Sequence, residues 1–382
     1  MSANSTNPFP APVGGVPDAL DFAPSVFFAV LYALMAPIVI WRMAHPRSRN
    51  TVLLTTSLFS IERVVLFSLR AAAARDATFR PNIDLETYFQ ASASGGFVSI
   101  GHDVVNVLRA LLVSSTLGGD MLARHKLTPP HVRKAQKETE TETEKEAGSY
   151  TALALAPPNT ARGEGHGQRM YQVELGVDRD GACSSSTTCV GGPDVEFADQ
   201  TKLRRTIRTW LSVTSLLFLA AVAVSSVAGA NYKNAIKGNS GAGDLVRSLW
   251  YASTVLTIVL LVAAAITALF APYKLPRVPR TSALWIVLVT CLLSIVGIYR
   301  IAVISHSTTS IFSTAPGSQN TPCNKAAFYV LHAAPEFVST ALLVSLNARR
   351  VFGTGPWGDL RPRDPKSKAA PEGESRSAGS QV

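Results

Sequence analysis

Seven blocks of about 20 apolar residues, set apart by short charged loops and one long polar segment, limit what this 382-residue chain can fold into. A block of that length makes a helix that crosses ~30 Å of hydrocarbon. In hydrocarbon a spanning segment must satisfy its own backbone N–H and C=O groups, which a helix does. The blocks lie at 22–41, 51–73, 88–117, 206–230, 245–270, 283–305 and 326–346. They predict an all-α membrane protein, a seven-transmembrane helix bundle. Charged residues make up only 16% of the chain, against about 25% in soluble domains, so little sequence remains for a soluble core.

The basic residues predict the orientation. Arg42, Arg47 and Arg49 lie in the first loop, and Lys274, Arg277 and Arg280 in the fifth. Arg124, Lys126, Arg133 and Lys134 lie at one end of the third loop and Lys202, Arg204, Arg205 and Arg208 at the other. Arg349, Arg350, Arg361 and Arg363 follow the last block. With seven spans all these segments share one side, and the positive-inside bias makes that side the cytosol. The N-terminus is then expected outside and the C-terminus in the cytoplasm, in a multi-pass protein of the plasma membrane. Asn4-Ser5-Thr6 is a glycosylation sequon on the outer side of this topology. No basic n-region precedes the first block, which is expected to act as the signal anchor. The net charge of +10 is accounted for by these loops, and a nucleic-acid partner is not expected.

The expected organisation has five parts. Residues 1–21 are an extracellular segment, 22–117 carry the first three helices, 118–205 are a disordered cytoplasmic loop, 206–346 carry the other four helices, and 347–382 are a disordered cytoplasmic tail. Residues 137–146 read KETETETEKE and run on into Gly-, Ser-, Thr- and Pro-rich sequence, a composition that cannot bury enough apolar surface to offset chain entropy. The long loop is a tether or a phosphorylated regulatory segment, and the place to expect a cytoplasmic signalling partner. Four cysteines, Cys183, Cys189, Cys291 and Cys323, outline neither a disulfide framework nor a zinc pattern.

Charges inside the blocks are the candidates for function, because an ionisable group in hydrocarbon is costly. Glu62 and Arg63 fall mid-block in the second span, His102, Asp103, Asn106 and Arg109 in the third, Arg300 in the sixth, and His332 and Glu336 in the seventh. Tyr329, His332, Glu336 and Ser339 share a face at steps of three and four, as do Ser99, His102, Asn106 and Arg109. Spans two, three, six and seven are therefore expected to wall a polar interior, with four and five turned more to lipid. Asp103 and Glu336 are the expected partners of Arg63, and Arg300 has the reach for Glu336. The same residues read either as structural ion pairs that lock the bundle or as the lining of a ligand or substrate cavity. No catalytic residue, cofactor or metal is expected. A retinal Schiff base needs a mid-span lysine in the seventh block, and every lysine lies outside the blocks or at their ends. Of a metal-binding histidine set only His332, Glu336 and His102 are present, without a second histidine one turn away.

Lys325-Ala-Ala-Phe-Tyr, then Glu336, then Arg349-Arg350-Val-Phe before Gly353, together with Arg63, Arg70 and Arg300, resembles the last span and charge pattern of a fungal seven-transmembrane family of unknown function that carries a receptor-like label. Ala348 stands where that pattern has an acid. More distantly, Glu62 and the Tyr299-Arg300 pair are similar to the fungal lipid-translocating exporter family, whose acid after the sixth-span arginine is absent here. The resemblances imply a receptor-like sensor, with a transporter or lipid exporter as the alternative. A structural membrane protein with no small ligand is a third possibility, and membrane lipid is the one partner common to all three.

Overall fold

The computed structural model describes residues 4–45, 51–117, 199–275, 277–315, 317–346 and 348–352. The side chains of Asn4 to Thr6 and of Arg349 and Arg350 lie outside this description, as do the segments 118–198 and 353–382. Most of the expected loop and tail, and glycan attachment at Asn4, therefore lie outside the described residues, whereas 201–205 and 348–352, expected to be disordered, are helical.

Seven helices among the described residues are long and apolar enough to cross a membrane, so the chain is an integral membrane protein of the seven-helix type. They are α1 (Phe22–Ala44), α2 (Leu54–Arg75), α3 (Ile83–Ser115), α4 (Thr201–Ile236), α5 (Ala242–Lys274), α6 (Arg280–Ile304) and α7 (Pro322–Ser345). A short α8 (Ala348–Phe352) follows. Several begin or end beyond their apolar blocks. α3 starts at Ile83 because Asn82 caps it, accepting from the backbone N–H groups of Asp84 and Leu85. α4 starts at Thr201 and runs to Ile236, taking in residues expected to belong to the third loop. Thr321 caps α7, and Pro322 occupies its first position, where no N–H is needed.

α3 is the central helix, with the largest buried share of the seven. It packs closely on α4, where Gly229 sits against Ala91 and Gly101 against Phe218, with no room for a Cβ at either glycine. The largest apolar core joins α3 to α4, α5, α6 and the end of α7. A second core, rich in aromatic rings, joins α1, α2 and α7: Phe28 stacks on Phe67 and on Tyr329, and Tyr32 meets Phe67 and Phe337.

Residues 7–21 are not a free tail. β1 (Asn4–Pro10) pairs antiparallel with β2 (Ser307–Ser310), which follows α6, with Phe9 opposite Thr308. Beyond it the chain turns inward at Gly14 and Gly15, both at positive φ. Phe9, Ala11, Val13 and Val16 are buried. A 3-10 turn at Ala19–Asp21, boxed by Asp18 and Asp21, leads into α1. This segment plugs the end of the bundle where α2, α4 and α6 finish and α3, α5 and α7 begin. At the opposite, far end, α8 folds back: Ser282 donates to the carbonyl of Val351 and Ser114 to that of Phe352.

Candidate functional site: two stacked buried charge clusters

The first cluster lies at mid-bundle. Arg63 Nη2 donates to Glu336 Oε1 at 3.0 Å, joining α2 to α7, with both side chains about 2% exposed. Arg63 Nη1 lies 3.4 Å from Glu62 Oε2 and donates to Ser92 Oγ at 2.7 Å. The guanidinium stands 4.0 Å over the ring of Phe59. Glu62 Oε1 accepts from Tyr88 Oη and Ser92 Oγ, each at 2.6 Å. One arginine thus stands between two carboxylates, one buried and one half-buried.

The second cluster lies nearer the plug and is built on Asp21. Its Oδ1 accepts from Arg70 Nη2 at 3.1 Å and from Tyr329 Oη at 2.9 Å, and its Oδ2 from Lys325 Nζ. Arg70 also donates to the carbonyl oxygens of Gly14 and Gly15, and Lys325 to that of Val16 at 2.7 Å. Gln90 holds Val13 by exchanging hydrogen bonds with its backbone, and donates to Glu86 at 2.7 Å. The plug is therefore fixed by charge-assisted bonds to α2 and α7 as well as by apolar burial.

Between the clusters α7 departs from regular α-geometry. The turn Tyr329–Ala333 is π-helical. Pro335 has no N–H to give to the carbonyl of Leu331, which is the local reason the turn widens. The π-turn carries His332, buried beside Phe328 and Tyr299, with Nδ1 at 3.9 Å from Glu336 Oε2 and neither ring nitrogen hydrogen-bonded. A cavity of about 10 Å³ for the centre of a water-sized sphere touches His332, Glu336, Arg63, Arg70, Val13 and Phe89. That is room for about one water. This space is too small for a ligand larger than that.

The candidates from the sequence separate into four places. Arg63, Glu336, His332 and, at its edge, Glu62 come together. Asp103 does not reach Arg63: its Oδ2 accepts from the backbone N–H and the hydroxyl of Thr56 at 2.7 and 2.8 Å. Thr56 stands almost two turns from Arg63, so Asp103 meets α2 nearer the far end. Arg300 does not reach Glu336 either. It donates to the carbonyl of Ala93 and lies 5.2 Å from the Phe97 ring centre, so its head is turned to α3. Among the described residues its Nε and Nη2 have no partner.

His102, Asn106 and Arg109 lie outside the polar interior. They are half-buried on the side of α3 turned toward α4, where His102 Nε2 and Asn106 share Ser215 of α4 at 2.8 and 3.4 Å. Helical spacing put them on one face correctly but does not say which neighbour the face meets. Sequence reasoning missed Asp21, Ser25, Tyr32, Glu86 and Gln90, so α1 was not counted as a wall. The available signals were Asp18 and Asp21 at the mouth of the first block and Pro335 within the seventh. No family model, curated protein or solved structure matches the chain.

Proposed function

We propose that the chain is a receptor-like sensor of the plasma membrane, with the plug outside, α8 in the cytosol and residues 118–205 as the segment that meets a signalling partner. The resemblance to the fungal seven-transmembrane family with the receptor-like label agrees with this reading. The observation that carries it is the buried Asp21–Lys325 pair. It ties the plug to the first turn of α7, four residues before the π-turn and eleven before Glu336. A ligand or a force that draws the plug out must strand Lys325 and Arg70, and α7 is the element that can answer by repacking. Buried pairs of this kind have few intermediate arrangements, which suits a two-state element.

The test uses a proximity-labelling enzyme fused to the C-terminus of the full chain in intact cells. Asp21→Asn and Lys325→Met should each change the set of labelled neighbours relative to wild type. Lys233→Met, which removes an exposed pair with Asp84 at the same end of the bundle, should not. Identical labelling in all four proteins, at equal surface level, rejects the sensor reading.

The π-turn favours a second reading, a proton-linked transporter, because irregular helix at membrane depth beside an ionisable pair is a feature of such pathways. This reading requires proton uptake by vesicles containing the purified protein under an imposed pH gradient, followed with a trapped dye and abolished by Glu336→Gln. The sensor reading requires none.

A further inference from the structure

The outward face of α3 carries a polar stripe that neither charge cluster absorbs. Tyr88, Ser92, Gly95, Ser99, His102 and Asn106 recur at steps of four and three, so they lie along one line, and each is half-buried. From Tyr88 to Asn106 the stripe is about 27 Å long at 1.5 Å per residue, close to the ~30 Å of hydrocarbon. It runs between α2 and α4. Beside Gly95 there is open space: among the described residues, nothing outside its own helix backbone stands within 4 Å of where a Cβ would be. On the α2 side Glu62 belongs to the row Leu58, Ile61, Val65 and Leu69, which is 60%, 43%, 50% and 38% exposed. The Glu62 side chain is itself 31% exposed. A carboxylate therefore lies near mid-depth in a row of lipid-facing apolar residues, at the edge of a polar furrow that opens sideways.

We infer that this furrow binds the headgroup of a membrane lipid bearing a primary ammonium, held at Glu62. Three features of the site select that chemistry. Arg63 is shared by two carboxylates and lies at 3.0 Å from the buried Glu336 against 3.4 Å from Glu62, so the charge of Glu62 is only partly met. Glu62 Oε1 is filled by Tyr88 and Ser92, whereas among the described residues Oε2 has only Arg63 at 3.4 Å and keeps capacity to accept. An ammonium brings three donors and a compact charge to that oxygen, whereas a choline headgroup brings charge without a donor. An anionic headgroup would meet Glu62 as a like charge. The inference does not rest on the sensor reading, since a lipid in the furrow serves a sensor as regulator and a transporter as cargo alike.

The experiment uses the full chain in phosphatidylcholine vesicles and compares spin-labelled phosphatidylethanolamine, phosphatidylcholine and phosphatidylglycerol by the fraction of each held immobile at the protein. Phosphatidylethanolamine should be preferred over phosphatidylcholine, with phosphatidylglycerol lowest. Glu62→Gln should lower the ethanolamine association about tenfold, to the level of phosphatidylcholine. Gly95→Leu leaves every charge in place and fills the furrow, so it should remove the preference without unfolding the bundle. Equal association of the ethanolamine and choline lipids in wild type overturns the proposal, and so does a folded Gly95→Leu or Glu62→Gln protein that keeps the preference.

Discussion

Arg63 and Glu336 are 273 residues apart in the chain and 3.0 Å apart in the bundle, and their bond is the direct buried link between α2 and α7 at mid-depth. Around it the protein is built in layers. The plug and Asp21 lie above, the π-turn lies beside, and the apolar core of α3 to α6 fills the far half. Because both partners are almost wholly buried, removing Glu336 leaves Arg63 with only the longer contact to Glu62 and its bonds to Ser92.

The first prediction follows directly. Glu336→Gln should destabilise the bundle by up to about 3–5 kcal/mol, the loss seen when one member of a buried pair is removed. Glu62 and membrane water temper the loss, because both can reach the stranded guanidinium. Adding Arg63→Gln should recover part of that loss, whereas adding Arg300→Gln should be additive, since Arg300 bonds Ala93 and not Glu336. A double-mutant cycle on thermal unfolding in detergent reads both couplings. Coupling to Arg300 but not to Arg63 would contradict the geometry.

In the upper cluster the order of losses is set by the number of charges each change strands. Asp21→Asn leaves Arg70 without its paired acid and Lys325 with only the partly exposed Asp18 at 3.4 Å, whereas Lys325→Met leaves Asp21 still paired with Arg70. Asp21→Asn should therefore cost more, about 3 kcal/mol or above against about 1–2 kcal/mol. It should also expose the plug. Limited proteolysis within residues 8–17, located by mass spectrometry, should be fastest in Asp21→Asn. Equal rates in both variants and wild type would show that apolar burial alone holds the segment.

Two neighbouring glycines of α3 should respond in opposite directions. A Cβ at Gly96 would meet Phe59 at 2.2 Å and Arg63 Nη2 at 2.3 Å, pushing the guanidinium off Glu336. Gly96→Ala should cost about 1–3 kcal/mol. At Gly95 nothing stands within 4 Å, and alanine should stabilise the helix by about 0.5–1 kcal/mol. Melting temperatures of the two single variants decide the matter, and a destabilised Gly95→Ala would refute the open furrow.

Topology gives the last prediction. Seven crossings put the plug and α8 at opposite ends of the bundle, and the loop arginines argue that the plug end is outside. On intact cells, protease should remove a tag at the N-terminus and spare one at the C-terminus. The reverse pattern would invert the orientation without changing the fold.

The number of spans, their order and the presence of costly mid-span charges were legible in the sequence, because each span must close its own backbone hydrogen bonds and cross a fixed thickness. That requirement acts on one segment at a time and leaves its mark on a run of some 20 letters. The pairing of Arg63 with Glu336 was legible as one of two choices, since depth along a helix follows from residue count. What lay beyond the sequence is how each helix is rotated about its axis and which neighbour its polar face meets. His102 and Asn106 share a stripe as regular as that of His332 and Glu336, yet one stripe faces Ser215 of α4 and the edge of the bundle, and the other faces the interior. The small residues of α3 and α4 decide the first by letting the two helices close together. Residues 7–21 read only as part of an extracellular segment, because no periodicity marks them. Their burial depends on apolar contacts with the ends of the helices and on α2 and α7 presenting Arg70 and Lys325 to Asp21, and that convergence exists in the tertiary structure alone.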